Sequence, residues 1–254
     1  PVATALEKQL KHPAKVWLKI DVGYGRAGIP WDDETAIKDL YEKMCRSHLM
    51  ECSGILTHSG QVYHAKSTSE ILQIYAQTVK RMNKIKSILR SHECKISIGD
   101  TPSCTLAEDF SDVDEIRPGN FVFYDLMQEN FGVCSAENIA VALACPIVGK
   151  YAERRELVIY GGGIHFSKEF LLNENGEKIF GYVTWLEDGR LGPILKNAAV
   201  ISLSQEHGII RVDDELFDQL SIASIVLIYP VHSCLTANLY KKYMTIQGKE
   251  ISRL

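Results

Sequence analysis

Residues Val16–Gly28 read VWLKIDVGYGRAG. Val16, Leu18, Ile20 and Val22 alternate with Trp17, Lys19 and Asp21, the period of a strand with two different faces. Gly23, Gly25 and Gly28 then let the backbone turn sharply and bring Arg26 back over the strand end. A strand that ends in a glycine turn carrying one arginine can present a cation to an anionic ligand. The same spacing also suits a hairpin with a surface arginine.

Outward from this stretch the chain repeats a strand, turn, helix order. Thr4–Leu10 precedes it as a helix-like segment. After it, Asp32 or Asp33 can cap a helix running to about Met50, with Ala36, Ile37, Leu40, Tyr41 and Met44 as its apolar stripe. A short strand is expected at 54–57, ending in His58-Ser59-Gly60, and a second helix over roughly Ser67 to Ser91. Strands are expected at 95–98 and 121–124. Polar or glycine-rich residues at each strand's C-terminal end are the pattern of a parallel β/α architecture with its site at those ends. After about Glu137 the pattern changes. Segments 139–148, 157–160, 179–185, 199–203, 225–229 and 243–246 are strand-like, and Asn175-Gly176 and Asp188-Gly189 are hairpin signals. The expected division is therefore an α/β part over 1–136 and a mainly antiparallel β domain over 137–254.

The bulk composition narrows the function classes. The 254 residues are 46% apolar and 24% charged, as in soluble globular proteins. A net charge of −4 and a pI near 6.1 oppose general nucleic-acid affinity. No apolar run reaches the length of a membrane span, and no signal peptide is visible at the start. The seven cysteines are scattered without a CxxC pair, which reads as reduced thiols in a cytoplasmic protein. The chain opens at Pro1 and runs straight into a helix-like segment, so upstream sequence is expected.

Several constellations could carry chemistry. Tyr229-Pro230-Val231-His232-Ser233-Cys234 ends an apolar strand, and in an extended segment His232 and Cys234 point to the same side. Imidazole and thiolate make a partial zinc site; the alternative is a buried cysteine beside a hydrogen-bonded histidine. His58, with Ser59, Gly60 and Tyr63, could stack on an aromatic ring or shuttle protons, or be a satisfied structural histidine. The turns Gly99-Asp100-Thr101-Pro102 and Arg117-Pro118-Gly119-Asn120 offer backbone N–H groups and a threonine hydroxyl suited to a phosphate, although such turns are common. Gly161-Gly162-Gly163 lacks the dinucleotide spacing and reads as a turn, with His165 a further site candidate. Gln205-Glu206-His207-Gly208 could equally be a surface turn.

Lys19, Asp21, Gly23, Arg26 and Gly28 resemble the K-x-D-x-G-x-x-R-x-G segment of the D-serine dehydratase and D-threonine aldolase group of alanine-racemase-like (fold-type III) pyridoxal-phosphate enzymes. Glu115 to Asp125 (EIRPGNFVFYD) and His232-Ser233-Cys234, followed by Thr236-Ala237-Asn238, are similar to further segments of that group. The resemblance implies a (β/α)8 TIM-type barrel, of which about four later strands are present, followed by the β domain. Half a barrel leaves strand edges open, which agrees with missing N-terminal sequence. It also implies pyridoxal 5'-phosphate held by Arg26, His58, Tyr63, Thr101, Gly119 and Asn120. Arg26 and His58 would be catalytic. Zinc would sit on His232 and Cys234, with Mn²⁺ or Mg²⁺ as alternatives, and Gln205–Gly208 would lie close to the metal. The family's Schiff-base lysine belongs near the end of the first barrel strand; Lys8, Lys11 and Lys15 do not match that context, so it is expected upstream of Pro1. The implied activity is a lyase acting on a small D-β-hydroxy amino acid, above all zinc-assisted conversion of D-serine to pyruvate and ammonia, in a homodimer. A metal-dependent D-threonine-type aldolase, a racemase, and a non-catalytic pyridoxal-phosphate-binding barrel are the alternatives.

Overall fold

In the computed structural model, which describes residues 1–91 and 93–253, the opening stretch forms its expected strand. Helix α1 (Val2–Gln9) leads into β1 (Ala14–Asp21), then β2 (Ile29–Pro30), α2 (Glu34–Cys45), β3 (Met50–Leu56), α3 (Thr68–Leu89), β4 (Lys95–Ile98), α4 (Thr101–Leu106) and β5 (Glu115–Ile116). The strands form one parallel sheet in the order β2-β1-β3-β4-β5. Alternation in β1 places Leu18 and Ile20 in a core with Val22, and with Ile37, Tyr41 and Met44 of α2 and Met82 and Ile85 of α3. Each fully buried isoleucine there stabilises by about 1.5–3 kcal/mol. Asp33 caps α2 by accepting from Ala36 N, and Ser67 caps α3 by accepting from Glu70 N. Lys19 and Asp21 alternate to the other face of β1.

The fourth strand differs from expectation. It is the pair Glu115–Ile116, whereas 121–124 form a turn. The Asn120 carbonyl accepts from both Phe123 N and Tyr124 N, and Tyr124 takes φ 46°, so no ladder can form. Phe121 and Val122, apolar enough to suggest a strand, are exposed.

The chain divides into two units, Pro1–Gly119 and Asn120–Leu254, so the division precedes the change of sequence pattern at 137. Residues 120–136 go with the second unit because Met127 N donates to Val231 O and Leu126 and Tyr124 pack in a cluster with Tyr229 and Val231. That unit runs α5 (Leu126–Asn130), β6 (Leu143–Tyr151), β7 (Glu156–Tyr160), β8 (Leu171–Leu172), β9 (Lys178–Ile179), β10 (Gly181–Thr184), β11 (Leu186–Glu187), β12 (Arg190–Leu191), β13 (Leu195–Leu203), β14 (His207–Val212), α6 (Asp214–Gln219), β15 (Ile225–Pro230), α7 (Ser233–Asn238), β16 (Lys242–Met244) and β17 (Glu250–Ser252). Six strands close a barrel in the order β10-β13-β14-β7-β6-β15, antiparallel throughout. The interior holds Ile147, Leu157, Ile159, Val200, Ile210 and Ile228. The two hairpin signals are turns as expected, with Gly176 at φ 77° and Asp188-Gly189 at 48° and 73°. Strand β14 had no expectation attached to it. The His232–Cys234 segment is not extended either: β15 ends at Pro230, His232 is the N-cap of α7, and Cys234 lies in its first turn.

Among the described residues no helix is long and apolar enough to cross a membrane. All seven cysteines are free.

Candidate active site

In the first unit the chemistry gathers at the C-terminal ends of β1, β3 and β4. The Asp21 carboxylate closes the glycine turn by accepting from Gly23 N and Tyr24 N at 2.9 Å each and from Gly25 N at 2.9 Å. Burial alone would raise its pKa; the N–H groups of Gly23, Gly25 and Tyr24 more than offset that and hold it low. The turn directs Arg26 over the Tyr24 ring, 5.3 Å from its centroid. Tyr24 in turn meets His58 edge-on at 5.6 Å. Gly60 makes room for this, since a Cβ there would lie 2.3 Å from the Tyr24 ring.

His58 follows β3. Its Nδ1 is 2.8 Å from the Gly99 carbonyl, so Nδ1 carries a proton and donates. Burial lowers its pKa first; the Gly99 carbonyl opposes this, and the charges of Arg26, Lys19 and Arg117 lower it further. Lys19 is lowered by burial and then by Arg26 and Arg117. Three cations and a neutral imidazole therefore share one end of the sheet. Arg117 is held there by donating from Nε to Ser97 Oγ at 2.8 Å and from Nη2 to the Thr57 carbonyl at 2.5 Å. Tyr63 lies in a short 3₁₀ turn with its ring 6.5 Å from His58. Thr101 opens α4 behind the cap Asp100 and is buried. Ser103 Oγ in the same turn is buried without a hydrogen-bond partner among the described residues. Gly119 is the last residue of this unit, with open space where a Cβ would be.

In the second unit Asn120, His232 and Cys234 come together around Asp125, a fully buried carboxylate absent from the expected site. Asp125 Oδ2 accepts from Asn120 Nδ2 at 2.5 Å and from Ser233 N at 3.0 Å, and lies 3.3 Å from His232 Nδ1. Asp125 Oδ1 accepts from Gln128 N as the cap of α5. The Cys234 thiol donates to Asn120 Oδ1 at 3.4 Å. Burial, and then the Asp125 charge, push that thiol up. The sequence signal for Asp125 was available as an Asp-x-x-Gln helix start, Asp125 to Gln128. His165 is separate from this group: its Nδ1 accepts from Gly162 N at 3.1 Å and its ring meets Tyr160 at 4.9 Å. His207 meets the same tyrosine at 5.8 Å.

Comparison with known proteins matches both parts of the chain. Residues 2–126 fit the "Alanine racemase, N-terminal domain" family and residues 140–246 the "Putative serine dehydratase domain" family. A D-serine dehydratase of Dictyostelium discoideum is 31% identical over 250 residues, covering 92% of this chain. The chain is thus similar, in its two parts, to an alanine racemase N-terminal domain and to a serine dehydratase domain. It spans 61% of the length of the Dictyostelium relative. The structure of D-threo-3-hydroxyaspartate dehydratase from Delftia sp. HT23 shares the fold, with a TM-score of 0.86 at 23% identity over 98% of this chain and 68% of that one. A cysteine-to-alanine variant of a D-threo-3-hydroxyaspartate dehydratase, solved in the metal-free form, aligns with a TM-score of 0.87 at 23% identity over all of this chain and 69% of that one.

Proposed function

We propose that this chain is the larger part of a pyridoxal-phosphate-dependent lyase that dehydrates a D-β-hydroxy amino acid, with D-serine going to pyruvate and ammonia. Similarity to the dehydratase relatives supports the reading, and the gathering of His232 and Cys234 around one Asp125–Asn120 pair carries it. The five parallel strands are then the later part of a (β/α)8 barrel. The residues present fit both absent groups. Buried Ser103 Oγ lacks a partner where a phosphate oxygen would accept from it, and Lys19, Arg26 and Arg117 supply positive charge at the same strand ends. Imidazole and thiol are the donor types that suit zinc, with Mn²⁺ or Mg²⁺ less favoured by the sulfur. The cysteine-to-alanine variant of a D-threo-3-hydroxyaspartate dehydratase, solved in the metal-free form, agrees with a cysteine in that role.

Bound pyridoxal phosphate withdraws electrons from Cα of an attached amino acid, and a bound metal makes a β-hydroxyl a better leaving group. The chain's own residues do the rest. Within the first unit Arg26, Thr101 and Gly119 would hold the cofactor, and Tyr63 and His58 would contact its ring; Asn120 is a cofactor candidate of the second unit. His58, kept neutral by burial and three cations, can take up or pass a proton at Nε2 because Nδ1 is committed to Gly99. The small D-amino acid as substrate, a homodimeric assembly and a cytoplasmic setting belong to the same proposal.

Product analysis of the full-length protein tests it. D-Serine should give pyruvate and ammonia. Glycine plus an aldehyde from D-threonine would make it an aldolase, L-serine would make it a racemase, and no turnover with cofactor bound would leave a non-catalytic binder. Cys234→Asp should cut zinc content and pyruvate formation while leaving the pyridoxal absorbance nearly unchanged, because Arg26, His58, Tyr63, Thr101 and Gly119, the other residues proposed to hold the cofactor, belong to the first unit; Asn120 alone of that set bonds the Cys234 thiol. Undiminished turnover by the variant after chelation would remove the metal from the mechanism.

A further inference from the structure

His232 Nδ1 is buried and makes no hydrogen bond with the described residues, yet it stands 3.3 Å from the carboxylate of Asp125. A carboxylate only accepts, so the ring atom it can face without repulsion is an N–H. That fixes the proton on Nδ1 and leaves the lone pair on Nε2. The same carboxylate sets the other donor. Asp125 Oδ2 accepts from Asn120 Nδ2, which fixes the flip of the Asn120 amide and turns its Oδ1 to the Cys234 thiol. Ser233, between the two candidate ligands, is held by its own N–H on Asp125 Oδ2 and by its hydroxyl, which donates to the Tyr124 carbonyl at 2.6 Å.

We infer that Asp125 is the positioning residue of the His232–Cys234 pair: it selects the Nδ1–H form of His232 directly and orients Cys234 through Asn120. This rests on the proposed metal role of that pair. Carboxylates that accept from the far nitrogen of a ligating histidine raise its basicity and fix its orientation, and their loss weakens metal binding about 10–100-fold. The division of labour within Asp125 makes the idea testable. Oδ1 caps α5 while Oδ2 serves the pair, and asparagine caps a helix as well as aspartate does.

The test uses the full-length protein, labelled with ¹⁵N-histidine and free of metal, with the His232 signal assigned by its loss in His232→Gln. The unaltered protein should show His232 protonated on Nδ1. In Asp125→Asn the amide that keeps the α5 cap turns its N–H groups toward the ring, so the proton should move to Nε2, and the melting temperature should fall because Ser233 N loses its acceptor. Zinc affinity, read by competition with a fluorescent chelator, should fall about 10–100-fold. A proton on Nε2 in the unaltered protein overturns the inference, and this readout stands even if Asp125→Asn does not fold. Equal zinc affinity and an unchanged tautomer in Asp125→Asn overturn it as well. Failure of the unaltered protein to bind zinc sinks the metal role of the pair, while the metal-free tautomer still decides what Asp125 does to His232.

Discussion

Asp100 shows how one buried carboxylate can set a pH dependence. It caps α4 by accepting from Ser103 N at 2.6 Å, yet burial raises its pKa to about 6 against that bond. The native state therefore binds the proton more tightly than the unfolded chain. Stability falls as pH rises from about 4 to about 6, and the loss is complete above that window. Asp100→Asn keeps a good cap without the buried charge. It should raise stability at pH 7.5 by about 2–3 kcal/mol and lose this advantage near pH 4, as urea titrations at the two pH values would show. His58 makes the opposite case. Its neutral form is favoured by burial and by Arg26, so Arg26→Gln should move its pKa upward, followed by histidine NMR in the cofactor-free protein. No upward movement would mean that Arg26 does not act on the imidazole.

At the scale of elements, close backbone approaches decide which glycines cannot change. Gly54 sits at φ 149°, beside the irregularity where the β1–β3 register steps from Val16↔Cys52 to Trp17↔Gly54. A Cβ there would lie 2.1 Å from the Lys95 carbonyl oxygen on β4. Gly54→Ala should cost about 2–4 kcal/mol and loosen amide protection across β3 and β4. Gly162 is tight for another reason. A Cβ would meet the backbone of Gln205, Glu206 and His207, each at 2.5 Å, where Gly163 N donates to Ser204 O and Ile164 N to Gln205 O. Gly162→Ala should separate these loops and cost about 1–3 kcal/mol, with exchange accelerated at Gly163 and Ile164. Thermal unfolding near that of the unaltered protein would show that the loops adapt.

At the scale of the whole molecule, the two units differ in how they end their sheets. The barrel of the second unit closes on itself through β10 and β15 and has no free edge. The parallel sheet of the first unit ends in the two-residue strands β2 and β5. Expressed separately, residues 120–254 should fold to a soluble form with one cooperative thermal transition, and residues 1–119 should aggregate; circular dichroism and light scattering would distinguish these outcomes. The main lines of this organisation were legible in the sequence. Alternation in 16–22, the helix caps Asp33 and Ser67, and the hairpin dipeptides at 175–176 and 188–189 are local signals, set by side-chain period and backbone φ within a few residues. His58, Arg26, His232 and Cys234 could be named from the sequence as candidates because reactive residue types follow expected strands there. What needed the tertiary structure is whatever depends on residues distant in the chain. Closure of six strands into a barrel is a property of pairing that no single strand carries. Asp125 reads in sequence as an ordinary helix cap. Only the fold brings Ser233, 108 positions away, onto its second oxygen and makes it the organiser of the candidate site.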